Sequence, residues 1–138
     1  MRLLLDTHAL LWTLATPDKL PPAVRRAIQA AENEVHASLA SVWEISIKVS
    51  IRRLAVNVES LEETLAASGI QPLGISLQHT VRVSTLPLHH RDPFDRMLVA
   101  QAMCESMILV SRDRELSKYD VKLFWRDAPH ARSRNARN

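Results

Sequence analysis

The sequence predicts a single α/β domain: a mostly parallel central sheet flanked by helices on both faces. Two observations carry this. Short unbroken aliphatic runs, Leu3-Leu4-Leu5 and Ile108-Leu109-Val110, read as strands buried on both sides rather than on one. Longer segments with apolar residues at helical spacing lie between such runs, so strand and helix alternate along the chain. A chain of 138 residues that is 46% hydrophobic supports one real core. No repeat, low-complexity stretch or internal linker divides it.

The elements follow in order. Residues 2–5 form a strand ending at Asp6, and Asp6 or Thr7 caps a helix to about Ala15 with Leu10, Leu11 and Leu14 on one face. Thr16-Pro17-Asp18 turns the chain, and Pro21-Pro22 opens a helix to Ala31. Glu34 to Ala37 is a second strand. Ser38 caps a helix to about Ile51, with Leu39, Val42, Trp43 and Ile47 at core spacing. A helix over 59–68 ends near Gly69, and Pro72 to Ile75 is a short edge strand. A helix over 76–84 leads to a loop rich in Pro and His, Leu86 to Arg91. Asp92-Pro93 opens a strong helix to Ser106. Met107 to Val110 is a buried strand, a short helix follows Asp113, and Val121 to Phe124 is the last strand.

Composition removes several classes. Only two glycines occur, Gly69 and Gly74, which excludes a glycine-rich phosphate loop. The single cysteine, Cys104, forms no internal disulfide and reads as a small core residue. Cytoplasmic location is the simplest expectation. No apolar run approaches the ~20 residues of a membrane span, and Met1 to Asp6 is too short for an export signal. The formal charge of +3 is carried wholly by residues 126–138, where Arg126, Arg132, Arg134 and Arg137 face one acid, Asp127. We therefore expect a domain over 1–125 and a basic, disordered tail over 126–138.

Four acids at the edges of apolar segments carry the chemistry: Asp6, Glu44, Asp95 and Asp113. Carboxylates gathered at strand ends, where open α/β sheets collect ligands, repel one another unless a cation joins them. A hard divalent ion is the natural partner. Each acid also has a plain local role. Asp6 can cap the helix after it. Glu44 can pair with Lys48 one turn on. Asp92 and Asp95 can form a capping box across Pro93, with Asp95 reaching back; the candidate of the two is Asp95, on the helix proper. Asp113 can cap the short helix that follows.

The adjacent histidines His89 and His90 point different ways on most backbones, so a substrate contact is favoured over joint ligation. Arg91, Arg96 and Arg112 lie beside the acids and are candidates for phosphate contact or for pairing with those acids. Trp12 and Trp43 sit at core spacing. Six aromatics in the chain give little support for a base-stacking platform.

Together, LLLDTHALLW, ASLASVWEISIK, LPLHHRDPFDRMLVAQA, LVSRD and VKLFW resemble the PIN-domain nucleases, most closely the VapC-type toxins of bacterial toxin–antitoxin pairs. The resemblance covers residues 1 to about 125 in the expected order. It implies a Mg²⁺-dependent endoribonuclease, with Mn²⁺ as a substitute, whose quartet is Asp6, Glu44, Asp95 and Asp113, supported by Thr7 and Ser111. It implies an RNA substrate, a VapB-type antitoxin that reaches the active site, and a homodimer. Asp6 and Asp95 would hold the main ion, Asp113 would complete that site or a second, and Glu44 would bind a second ion or orient the attacking water. In-line attack would leave 5′-phosphate ends. The chain departs from the pattern at Arg52-Arg53, where Gly-Lys is common, at Ser106, where glycine is frequent, and at Ser111, usually Thr. The competing reading is a non-catalytic PIN-like module that binds RNA or protein. An aspartyl-phosphate enzyme wants Asp-x-Asp, and residue 8 is His.

Overall fold

The structure, a computed structural model, describes residues 1–127. Most of the expected basic tail, from residue 128 on, lies outside the described residues. The chain runs β1 (Arg2–Leu5), α1 (Thr7–Ala15), α2 (Pro22–Gln29), β2 (Glu34–Ser38), α3 (Leu39–Ser50), α4 (Leu61–Ala67), β3 (Ile70–Leu73), α5 (Leu77–Val83), α6 (Pro93–Glu105), β4 (Ile108–Val110) and β5 (Leu123–Phe124). The five strands form one sheet in the order β3-β2-β1-β4-β5, and every pairing is parallel.

β1 is the central strand, and its three leucines explain why. Successive side chains point to opposite faces of a strand. Leu3 and Leu5 enter a core with Leu10 of α1, Val24 of α2 and Ile45 of α3. Leu4 enters the opposite core with Leu98 and Val99 of α6 and with Leu109, Leu116 and Tyr119. All three leucines are fully buried. Strand order reverses at β1: the chain moves outward to β2 and β3, then returns to the other side for β4 and β5. The Asp6 N–H donates to the Val110 carbonyl at 3.0 Å, so the carboxyl ends of β1 and β4 are tied side by side. A crevice at such a switch point is where parallel sheets place their ligands. Among the described residues, no helix is long and apolar enough to cross a membrane.

Three expectations need correction. β3 starts two residues early, at Ile70, because Gly69 (φ +70°) stops α4 and the chain pairs at once, with Ile70 beside Val35. Pro72 is tolerated because β3 is an edge strand. On α3 the buried residues are Ala40, Ser41 and Ile45, whereas Leu39, Trp43 and Ile47 face outward. The start of α3 approaches α1 closely, with Ser41 touching Thr7, and that closeness suits small side chains. Trp43, 61% exposed, packs edge-on against Phe94 at 5.2 Å between ring centres. Cys104 is exposed rather than core: it sits on the flank of α6, beyond the buried run Leu98 to Ala102.

Candidate active site

The structure gathers the four predicted acids in one cavity of about 330 Å³. Asp6, Thr7, Glu44, Asp92, Asp95 and Asp113 line it, with Lys48, Arg112, His8, Trp12 and Trp125. The local capping roles and the shared cavity coexist. Asp6 caps α1, its Oδ1 accepting from the Ala9 N–H at 2.8 Å. The Ser111 hydroxyl hydrogen-bonds the same carboxylate and accepts from the Asp113 N–H at 3.1 Å. Ser111 thus links the ends of β1 and β4. Asp113 caps the 3₁₀ turn after it through Oδ1, which accepts from the Glu115 N–H at 3.0 Å, leaving Oδ2 toward the site.

Glu44 reaches the cavity from α3. Its Oε1 accepts from Thr7 Oγ1 at 2.6 Å, and its Oε2 lies 3.1 Å from Lys48 Nζ. The expected pair with Lys48 is therefore present and orients the carboxylate instead of removing it from the site.

The expected capping box at α6 does not form. Asp92 Oδ1 alone accepts from the N–H groups of Phe94 and Asp95. The Asp92 N–H that Asp95 was expected to satisfy donates instead to His90 Nδ1 at 3.1 Å. Asp95 is left to face the cavity. With Nδ1 accepting, His90 carries its proton on Nε2, which donates to Asp113 Oδ2 at 2.9 Å and lies 3.6 Å from Asp95 Oδ2. His89 turns away and packs its ring on Tyr119. The sequence favoured a substrate contact for this pair of histidines; in the structure His90 ties the start of α6 to Asp113.

The electrostatics follow from this crowding. Asp95 is raised to about 7, first by burial, then by the charges of Asp92 and Asp6, with His90 partly opposing. Asp6 is also raised, mainly by burial, with its hydrogen bonds to Ser111 and Ala9 opposing. Two acids whose pKa values are raised in this way ionise together readily only beside a counter-charge. Carboxylate oxygens of Asp95 and Asp113 lie within 4.8 Å of each other, and Asp6 and Glu44 line the same space, whereas both ring nitrogens of His90 are already engaged. This oxygen-rich set fits a hard divalent cation.

The three candidate arginines separate. Arg112 lines the acid cavity, its guanidinium 5.6 Å from the Trp12 ring centre. Arg91 lines a different, largely apolar cavity beside Trp43, Leu88 and Phe94. Arg96 is engaged inward: one guanidinium nitrogen donates to the Pro87 carbonyl at 3.0 Å and to Tyr119 Oη at 3.1 Å, and the other to the carbonyls of Val83 and Leu86. Its donors hold the loop that carries His90, at a position where the sequence offered either a phosphate contact or a pairing with a neighbouring acid.

A fully parallel sheet with carboxylates clustered at the ends of β1 and β4 defines an α/β protein built around an acid-lined cleft. The chain belongs to the PIN domain family, whose model matches residues 3–122. It is 31% identical over 119 residues to ribonuclease VapC22 of Mycobacterium tuberculosis, covering 84% of this chain and 90% of that protein. Its fold is similar to a chain in the structure of VapBC2 from Rickettsia felis bound to a fragment of promoter DNA. That match has TM-score 0.70 and 17% identity, over 92% of this chain and all of the other. VapBC-1 from nontypeable Haemophilus influenzae matches with TM-score 0.64 and 16% identity, over 92% and 98% of the two chains.

Proposed function

We propose that this chain is a metal-dependent endoribonuclease and the toxin of a toxin–antitoxin pair. The observation that carries this is the convergence of Asp6, Glu44, Asp95 and Asp113 on one cavity, where burial, reinforced by the neighbouring acids, raises Asp95 to about 7. A relative named as a ribonuclease supports the reaction class. Structural neighbours that are VapBC complexes support a VapB-type antitoxin as partner. A homodimer acting in the cytoplasm completes the reading.

Asp6, Asp95 and Asp113 would hold the cation, Mg²⁺ or Mn²⁺, which would supply charge neutralisation at the scissile phosphate and a lowered pKa for water near neutral pH. Glu44, fixed by Thr7 and Lys48, orients the attacking water. Ser111 keeps Asp6 and Asp113 in register. Arg112 contacts a backbone phosphate at the rim. In-line attack leaves 5′-phosphate and 3′-hydroxyl ends. RNA preference then comes from the walls of the cleft, because this attack uses no ribose 2′-hydroxyl.

The test is expression of the chain and of Asp6→Asn, with and without the small protein encoded beside it, followed by sequencing of cellular RNA 5′ ends. New ends at few sites, absent with Asp6→Asn and suppressed by the neighbour, are expected. Growth arrest that persists with a folded Asp6→Asn protein and no new ends would overturn the nuclease reading.

A further inference from the structure

The acid cavity has a second wall of opposite character. Trp12 and Trp125 both line it, although 113 positions separate them in sequence. Trp12 comes from α1, and Trp125 follows the carboxyl end of β5. Their ring centres lie 6.0 Å apart at 50°, a tilted contact in the favoured range for aromatic pairs. Both are partly buried, their inner edges packed on the core beneath the sheet. Trp125 Nε1 donates to Asp127 Oδ1 at 3.2 Å, which fixes its ring. Two cations sit over Trp12: the Arg112 guanidinium at 5.6 Å and Lys19 Nζ at 6.0 Å from the ring centre.

These two tryptophans present part of their surface to the cavity, anchored, beside an arginine. That combination is what single-stranded nucleic acid uses: a π-face for an unstacked base and a cation for the adjoining phosphate. A base in a duplex has its faces covered and cannot use it.

Resting on the nuclease reading above, we propose that Trp12 and Trp125 form a base-binding wall. It stacks an unpaired base next to the scissile phosphate, while Arg112 holds a neighbouring phosphate, and so selects single-stranded segments of RNA. The two rings touch each other, so the base packs against the exposed side of the pair and not between them. The wall fixes where the strand lies relative to Asp95 and Asp113. Its residues position substrate and take no part in proton transfer.

The experiment uses the full chain with Mg²⁺ and three probes: a mixed-sequence single-stranded oligoribonucleotide, its duplex, and an abasic ribose–phosphate chain of the same length. Cleavage is read as kcat and KM. Binding is read by tryptophan fluorescence in the Asp95→Asn background. The expected result is quenching by the single strand but not by the duplex or the abasic chain. Trp12→Ala should raise KM roughly 10- to 100-fold, the scale of base–aromatic stacking, with a smaller change in kcat. Trp12→Phe should restore much of that loss, and Trp125→Ala should act in the same direction. Equal binding of abasic and intact strands by the Asp95→Asn protein, with both tryptophans in place, overturns the wall. An unchanged KM in folded Trp12→Ala also overturns it. Loss of antitoxin binding in Trp12→Ala, with RNA binding unchanged, would assign the wall to a protein segment and overturn it as well. Base-dependent quenching without cleavage by the wild-type protein supports the wall and sinks the nuclease reading instead.

Discussion

Asp92 Oδ1 accepts from the Asp95 N–H at 3.2 Å, so of two acids three residues apart one holds the helix start and the other is released to the cavity. The division predicts opposite consequences for two similar substitutions. Asp92→Ala removes the cap and should cost about 1 kcal/mol of stability, while Asp92→Asn keeps a good cap and should cost little. Asp95→Asn should reduce cleavage by roughly 100-fold or more yet leave the fold at least as stable. Denaturant titration and single-turnover cleavage, measured on all three, check the assignment. Full activity in Asp95→Asn would return Asp95 to a purely structural role.

Burial of the acids, with their mutual repulsion added, makes the metal-free protein sensitive to pH in an unusual direction. Asp95 holds its proton up to about 7 in the folded chain, against 3.8 for an ordinary aspartate. The folded state therefore binds more protons than the unfolded state between these values, and stability falls as pH rises through that window. Above about 7 both states have lost the proton and the penalty is constant. Asp6 acts in the same direction. In chelator, the wild-type protein should lose stability between about pH 4 and pH 7 relative to Asp95→Asn, on the order of a few kcal/mol at most. Parallel melting curves for the two proteins would disprove the raised value.

A cation that relieves this repulsion should bind the folded chain and not the unfolded one. At a free concentration about 100 times its Kd it adds ~2.7 kcal/mol to stability. Mg²⁺ or Mn²⁺ should raise the melting temperature of the wild-type protein and release protons on binding near neutral pH. Asp95→Asn should show a much smaller shift. Calorimetry in two buffers of different ionisation enthalpy measures the released protons directly.

Two residues mark local strain. Arg52 (φ +60°) and Ser106 (φ +54°) are the non-glycine residues with left-handed backbone among those described. Both lie where the resemblance puts glycine in or beside the expected pattern. Ser106 ends α6, its N–H reaching the Ala102 carbonyl. A side chain in that conformation costs about 1 kcal/mol, partly offset by the greater freedom of glycine in the unfolded chain. Ser106→Gly and Arg52→Gly should each stabilise by a few tenths to about 1 kcal/mol, additively, since the two turns end different helices and share no hydrogen-bond partner. Chemical denaturation checks this; destabilisation by Ser106→Gly would mean that its side chain makes a contact worth more than the strain.

What could be read in the sequence divides along physical lines. Strands β1 and β4 were legible because a strand buried on both faces needs an unbroken aliphatic run, and Leu3 to Leu5 and Ile108 to Val110 supply it. Helix starts were legible because Ser38 and Asp92 must satisfy local N–H groups. The faces of α3 were not, since Leu39, Trp43 and Ile47 have core spacing but the close meeting of Ser41 with Thr7 sets the rotation. That contact links residues 34 positions apart, which no local pattern encodes. His90 on Asp113 and Trp125 beside Trp12 are long-range in the same sense. The acids were found as a set because their joint repulsion needs a cation, even though each one alone had a sufficient local role.

The separation of Arg96 from Arg112 gives the last prediction. Arg112 lies at the rim of the acid cavity and is assigned a phosphate, whereas Arg96 donates to the carbonyls of Pro87, Val83 and Leu86 and to Tyr119. Removing a phosphate contact weakens binding of all sequences and makes the dependence on salt shallower, by about 0.7 in log–log slope for a single strand. Removing a structural tie leaves the number of contacts, and hence the slope, as it was. Arg112→Ala should therefore lower the salt slope of RNA binding with little change in stability. Arg96→Ala should leave the slope intact, deprive the part-buried carbonyls of Val83 and Leu86 and the Pro87 carbonyl of this donor, and lower stability by about 1 kcal/mol. Binding isotherms across a salt series, paired with melting curves, separate the two. A reduced slope in Arg96→Ala would show that its side chain leaves the loop to meet RNA, and the assignment of roles between these arginines would have to be exchanged.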